Sequence, residues 1–375
     1  VRVIVVGAGA WGLPAAAELA RRGHAVTIVD QHGVGNALGS SGGASRIWRL
    51  SHPDALMVRL AERSVDAWRD VERRTGRELL LRRGLLWRAG NVGAVAQALA
   101  GEGVVHVEVP AADVGRWFPG LRPDGVDALW QQDAGVVLAA ASLDAHLGLL
   151  RDAGGALRTG DRVSGVDTDD RGVRLTLSSG ERLDADVAVL APGPWAAPLL
   201  RELGLTLDLG PVLEQVAYVT GRPGWEDLPC LYEGERGGEP GMYAMPTPGI
   251  GYKIGIDLPL RGFRADEDAR APDPARDAEV EARVARDLGA LEPRVLSSQV
   301  CTWTESPDGG FVVDRLLDGR VVLACGDSGA GFKFSALMGQ VLADLAEDRT
   351  VDADVAALGL ARFAYGSGSR RVGSR

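Results

Sequence analysis

Residues 1–30 confine the chain to a narrow set of folds. An apolar strand, VRVIVV, runs into the turn Gly7-Ala8-Gly9-Ala10-Trp11-Gly12. A helical stretch, LPAAAELARR, follows and is stopped at Gly23, and HAVTIVD is extended again and ends on Asp30. Two strands joined through a helix lie parallel in one sheet, with the helix covering a face. Gly-x-Gly-x-x-Gly at the strand-to-helix turn, with an acid about 20 residues on, is the arrangement that binds a dinucleotide. The glycines let the backbone approach a pyrophosphate, and the helix N-terminus offers it free N–H groups and a positive dipole end. Gly7, Gly9, Gly12 and Asp30 are therefore expected at a dinucleotide, with Asp30 accepting from ribose hydroxyls.

Further along, RVSGVDTDDRGVRLTLSSGERLDADVAVLAPGPW reads as a β-meander turning at Ser178-Ser179-Gly180, then a buried strand, VAVLA, that runs to Gly193. VVLACGDSGAGFKFSALMGQVLADLA repeats the logic of the opening: buried strand, glycine-rich turn, helix. Two stretches of different texture intervene. Leu79 to Ala141 mixes short strands with Gly and Pro turns; Pro211 to Val300 carries strand pairs such as EQVAYVTG and GMYAMP and then the charged helix DPARDAEVEARVARDLGAL. The expected fold is mixed α/β (α+β). A Rossmann-like nucleotide-binding domain made of residues 1–78, 142–210 and 301–364 is interrupted twice by a substrate domain, 79–141 and 211–300, on a mixed or antiparallel sheet. The low-complexity tail 365–375 is expected to be disordered.

Charge and cysteine usage exclude several classes. A net charge of −10 and pI near 5.1 do not suit a surface that tracks nucleic-acid phosphates. No basic-then-apolar leader and no run of about 18 apolar residues appears, so a cytoplasmic protein with no membrane partner is expected. Cys230, Cys301 and Cys325 form no C-x-x-C pair and the five histidines no metal-ligand spacing, so neither a disulfide framework nor a metal is expected. Only two of the 41 basic residues are lysines, Lys253 in GYKIG and Lys333 in GFKFS. In a chain so biased to arginine, the survivors mark places where a compact ammonium of adjustable pKa serves and a wide guanidinium does not.

Four blocks, in order, carry a resemblance: GSSGGASRIWR after the second strand, GYKIG, CTWTESPDGGFVVD, and GDSGAGFKFSALMGQVLADLA. Over nearly its full length the chain resembles the D-amino-acid-oxidase-like superfamily, in the branch of monomeric sarcosine oxidase, N-methyltryptophan oxidase and glycine oxidase. The resemblance implies FAD, bound covalently through the sulfur of Cys301. It places Arg46 against the flavin, with Ser40, Ser41 and Val163 at the cofactor, and likewise Gly193, Trp195, Gly329 and Gly331. It implies that Lys253 speeds the reaction of reduced flavin with O₂, where a cation about 4 Å from a developing superoxide is worth about 4 kcal/mol. Lys333, also beside the cofactor, pairs with Arg49 to hold a substrate carboxylate. Tyr243 lines up with a substrate-side tyrosine.

The pattern departs from the sarcosine oxidases at Asp257, where they carry histidine four residues after the oxygen-activating lysine. An acid there repels a second carboxylate or attracts an amine. With Met242, Ala244 and Met245 around Tyr243, it suggests a roomier pocket than sarcosine needs. The expected activity is oxidation of the C–N bond of an amino acid, an N-substituted glycine, with O₂ reduced to H₂O₂, in a biosynthetic setting. A dehydrogenase passing electrons to a carrier and a catalytically silent flavin-bearing subunit are the alternatives. Partners are a small amino acid and O₂, and the chain is expected to be a monomer or small homo-oligomer.

Overall fold

The computed structural model describes residues 1–264 and 270–364. The tail, 365–375, lies outside the described residues.

The opening βαβ unit forms as its pattern requires. Strands Arg2–Val6 and Ala25–Asp30 pair in parallel around helix Gly12–Arg21, whose Leu13, Ala15, Ala16 and Leu19 are buried against the sheet. The full sheet has six strands in the order Val312–Leu316, Val321–Cys325, Val187–Leu190, Arg2–Val6, Ala25–Asp30 and Ala156–Thr159, parallel except at the Val312–Leu316 edge. Residues far apart in sequence thus build one nucleotide-type sheet. The meander is real, but its strands Val163–Asp169, Gly172–Leu177 and Arg182–Ala185 form a separate three-stranded sheet, turning at Gly180 with φ +89°.

A mixed nine-stranded sheet makes the second layer. Its longest pairing joins Gly210–Gly221 to Leu291–Glu305; Gly251–Asp257, Gly241–Thr247 and Cys230–Glu233 follow antiparallel on the other side, and Cys230–Glu233 then runs parallel to Leu85–Arg88. Side chains alternate across this sheet. One face presents Leu86, Ala217, Leu231, Ala244 and Ile254, which pack with Val280 and Val284 of helix Pro274–Asp287. The other face carries a rung of cross-strand partners, Trp87, Tyr232, Tyr243, Gly255 and Val216, of which Tyr232 and Tyr243 line a cavity.

Helix Ala55–Thr75 is begun by Asp54, whose carboxylate caps Met57 N, and closed by Gly76 at φ +65°. Its buried stripe, Leu60, Ala61, Ser64, Ala67, Trp68 and Val71, follows helical spacing and lies against the final turn-and-helix, Gly331–Phe334 and Ser335–Ala346. No described helix is long and apolar enough to cross a membrane.

Candidate active site

The glycine turn is shaped by crowding. Gly7 adopts φ +100°, and a Cβ there would sit 2.3 Å from Ala191 O; one on Gly12 would sit 2.0 Å from Gly7 O. Only glycine permits strand, turn and helix to approach this closely. Asp30 braces the turn from the next strand: Oδ2 accepts from Ala8 N at 2.8 Å, and Oδ1 accepts from His32 N and Gly33 N. Ser41 Oγ accepts from Ala10 N at 2.9 Å, while Ser40 Oγ is buried with no hydrogen-bond partner among the described residues.

From this turn a cavity of about 530 Å³ runs between the two large sheets. It is lined by Gly7, Gly9, Asp30, Ser40, Ser41, Arg46 and Val163, then by Gly193, Trp195, Cys301, Gly329 and Gly331, at its inner end by Arg49, Tyr232, Tyr243, Met245, Lys253 and Lys333, and at its rim by Asp257. Of the residues the sequence places at the cofactor, Gly12 is off the wall; it works beneath the turn, where helix and strand touch. A glycine cradle at a helix N-terminus, an acid at the end of the second strand, and an unpaired buried serine hydroxyl fit a dinucleotide with its pyrophosphate at the turn.

The chain belongs to the DAO family of FAD-dependent oxidoreductases. Residues 2–345 match that family. The chain is 29% identical to human peroxisomal sarcosine oxidase, over 96% of this chain and 95% of the relative, and 30% identical to monomeric sarcosine oxidase of Streptomyces avermitilis, over 92% and 93%. Among solved structures it resembles NikD, described as an unusual amino acid oxidase essential for nikkomycin biosynthesis, with a TM-score of 0.85 and 26% identity over 95% and 96% of the two chains.

In this DAO-family chain the inner end of the cavity is dominated by cations. Arg46 is tied down by its neighbours, donating to Ser45 O, Ser40 O and Gly42 O, and lies 5.3 Å over the Phe332 ring. Arg49 stacks 4.5 Å over Trp87 and 5.6 Å from Tyr232, with Nη1 donating to Ser51 O. Lys333 sits in the 3-10 turn Gly331–Phe334, just before the closing helix; its Nζ donates to Ala330 O at 2.8 Å and lies 5.2 Å over the Phe334 ring. Neither Arg49 nor Lys333 is ion-paired to a described residue. Burial lowers the pKa of Arg49 to about 10 and pushes that of Lys333 well below its ordinary value, with Arg49 adding repulsion.

Lys253 is 4% exposed, and its Nζ donates to Ser45 O at 2.9 Å. Burial and the nearby Arg46 bring its pKa to about 7. Tyr243 lies across Gly255, where a Cβ would meet its ring at 2.2 Å, and burial raises its pKa well above the usual phenol value. Cys301 is free, and burial raises its thiol pKa. Asp257 is exposed at the cavity's rim and accepts from Tyr232 OH at 3.2 Å.

One expectation is overturned. Met242 and Ala244 do not shape the pocket: they are fully buried on the opposite face of the sheet, among Ile254, Ile256 and Val280, and only Tyr243 and Met245 of that strand face the cavity. The two-residue alternation of a strand that presents Tyr243 inward sends its neighbours outward.

Several residues escaped the sequence reading. Tyr232 and Trp87 join the Arg49 stack, with rings 4.0 Å apart, and Ser64 Oγ and Trp68 Nε1 both donate to Lys333 O, at 2.7 and 2.8 Å, fixing the turn that carries the lysine. Glu214 pairs across the strand with Cys301; it is buried with both oxygens lacking a hydrogen-bond partner among the described residues, and burial, then Asp257, pushes its pKa up to about 9. Its signal was available: an acid inside the apolar strand EQVAYV marks a burial that needs a reason.

Proposed function

We propose that this chain oxidises the C–N bond of an amino acid carrying a secondary amine, an N-substituted glycine, and passes the electrons to O₂ to give H₂O₂. The observation that carries the reading is the pair of cations, Lys333 buried and Arg49 half-buried, neither ion-paired to a described residue, in the wall of the cofactor cavity. Two such charges, partly withdrawn from water and repelling each other, are complemented by an anion, and a substrate carboxylate accepts from a guanidinium and an ammonium in charge-assisted hydrogen bonds. The names of the relatives, sarcosine oxidases and an amino acid oxidase, point to the same class.

Bound FAD supplies a two-electron acceptor for the hydride and, once reduced, the donor to O₂. Gly7, Gly9 and the helix N-terminus would hold its pyrophosphate, Asp30 a ribose, Arg46 its ring system, and Cys301 would fix it through sulfur. Anchoring the carboxylate orients the neighbouring C–H and leaves the amine facing the Tyr243 and Asp257 side. An amine that enters neutral needs no base. Lys253, when protonated, supplies the positive charge that favours electron transfer to O₂.

The test is anaerobic mixing of the FAD-loaded protein with a panel of N-substituted glycines, followed by O₂ and a peroxide assay. Bleaching of the flavin and stoichiometric peroxide are expected. Arg49→Ala should weaken apparent affinity by tens to thousands of fold, about 2 to 5 kcal/mol, with amines lacking a carboxylate little affected. Equal bleaching by amines without a carboxylate would remove the reading.

A further inference from the structure

A second cavity abuts the cofactor cavity. A recess of about 520 Å³ opens beside it, lined by Gly90, Asn91, Glu235 and Leu258 among others, and the two cavities share Tyr232 and Asp257. The Tyr232 OH to Asp257 Oδ2 hydrogen bond therefore stands at the junction. At 3.2 Å it is longer than the usual hydroxyl-to-oxygen contact, and Asp257 lies at the exposed end of strand Gly251–Asp257, so the pair can part by side-chain rotation without disturbing the sheet. Charge changes sign along this path. Inside are Arg49 and Lys333; at the junction is Asp257; in the recess the charged lining consists of Asp257 and Glu235, next to Leu258, which is 46% exposed.

We propose that the recess is a subsite for the distal part of the substrate, and that it takes an aliphatic tail ending in a cationic or hydrogen-bond-donating group. The inference rests on the reading that the substrate's carboxylate lies at Arg49 and Lys333. With that end held, a substituent on the amine points towards Tyr232 and Asp257. A methyl group stops short of the junction; a chain of several carbons passes it, lays its methylenes along Leu258, and brings its end between two carboxylates. A tail that ends in a carboxylate meets repulsion there and gains nothing to offset its lost hydration. The room beyond sarcosine lies in this recess, not at Met242 and Ala244.

The experiment compares tails of matched length on the FAD-loaded protein: N-(4-aminobutyl)glycine, N-butylglycine and N-(3-carboxypropyl)glycine, with sarcosine as reference. The concentration dependence of anaerobic flavin bleaching gives an apparent affinity for each. The aminobutyl compound should bind at least tenfold tighter than the carboxypropyl one, with N-butylglycine between them. Asp257→Asn should shrink that ratio severalfold, and Asn91→Trp, which fills the recess, should weaken the aminobutyl compound more than sarcosine. Equal affinities for the two charged tails, or a ratio unchanged in Asp257→Asn, overturns the subsite while bleaching by N-butylglycine keeps the carboxylate reading standing. If none of the four compounds bleaches the flavin, the carboxylate reading fails and the subsite falls with it.

Discussion

Burying an ammonium beside a guanidinium weakens its hold on a proton twice, through lost hydration and through repulsion, and Lys253 experiences both beside Arg46. With a pKa near 7, its charge depends on pH in the working range: it is protonated below that value and neutral above. If its charge drives the oxygen half-reaction, the rate at which reduced flavin is reoxidised should be greatest below pH 7 and fall as pH rises through it. Stopped-flow mixing of the reduced protein with O₂ at several pH values measures this. Lys253→Met should be slower by orders of magnitude and flat across the same range, while anaerobic reduction by substrate changes much less. Parallel pH profiles in the two proteins would place the titrating group elsewhere. Lys253 and Lys333 were legible because lysine is so rare in this chain. Glu214 was legible only in part: an acid inside an apolar strand signals a burial, but its surroundings come from Cys301 and Asp257 on two other strands, which the local sequence does not show.

At the scale of elements, the turn that carries Lys333, and with it the proposed carboxylate site, is braced by helix Ala55–Thr75, which does not line the cavity. Lys333 O receives two donors from helix Ala55–Thr75, Ser64 Oγ and Trp68 Nε1, each one helical turn from the other. Ser64→Ala leaves the Trp68 bond in place and should cost about 1 kcal/mol of stability. Removing both donors, by Ser64→Ala with Trp68→Phe, strands a buried carbonyl and should cost more than the two single changes together. The thermal midpoint of the FAD-loaded variants reports that coupling. A positioning role adds a second signature: the double variant should raise KM for the amino acid severalfold while leaving the O₂ half-reaction of the reduced protein close to wild type, which mere destabilisation does not predict. The opening βαβ unit was readable because glycine spacing, helix stop and acid all lie within thirty residues. The strand holding Met242 to Met245 was readable too, and the period of two, applied from Tyr243, would have sent Met242 and Ala244 away from the pocket. The support from Ser64 and Trp68 was not readable: it joins residues some 265 positions apart.

At the scale of the molecule, the cavity lies between two sheets that have no strand in common, with the glycine turn on the six-stranded sheet and Cys301, Lys253 and Tyr243 on the nine-stranded one. A cofactor that reaches from Gly7 to Cys301 bridges both sheets, so its binding free energy adds to the stability of their union. Protein that carries no FAD should therefore have a lower thermal midpoint than the FAD-loaded protein. The mode of attachment decides how that stabilisation depends on concentration. A flavin bonded to Cys301 cannot dissociate on unfolding, so the midpoint of the native protein should not respond to added FAD, and acid-precipitated protein should remain yellow. Cys301→Ser, filled with FAD, should release its colour into the acid supernatant and show a midpoint that climbs with free FAD. Between concentrations of about 100 and 1,000 times the dissociation constant, that climb corresponds to about 1.4 kcal/mol. A native protein whose flavin washes out in acid and whose midpoint climbs in the same way would show that Cys301 contacts the cofactor without bonding to it, and the argument from the two-sheet bridge would still hold.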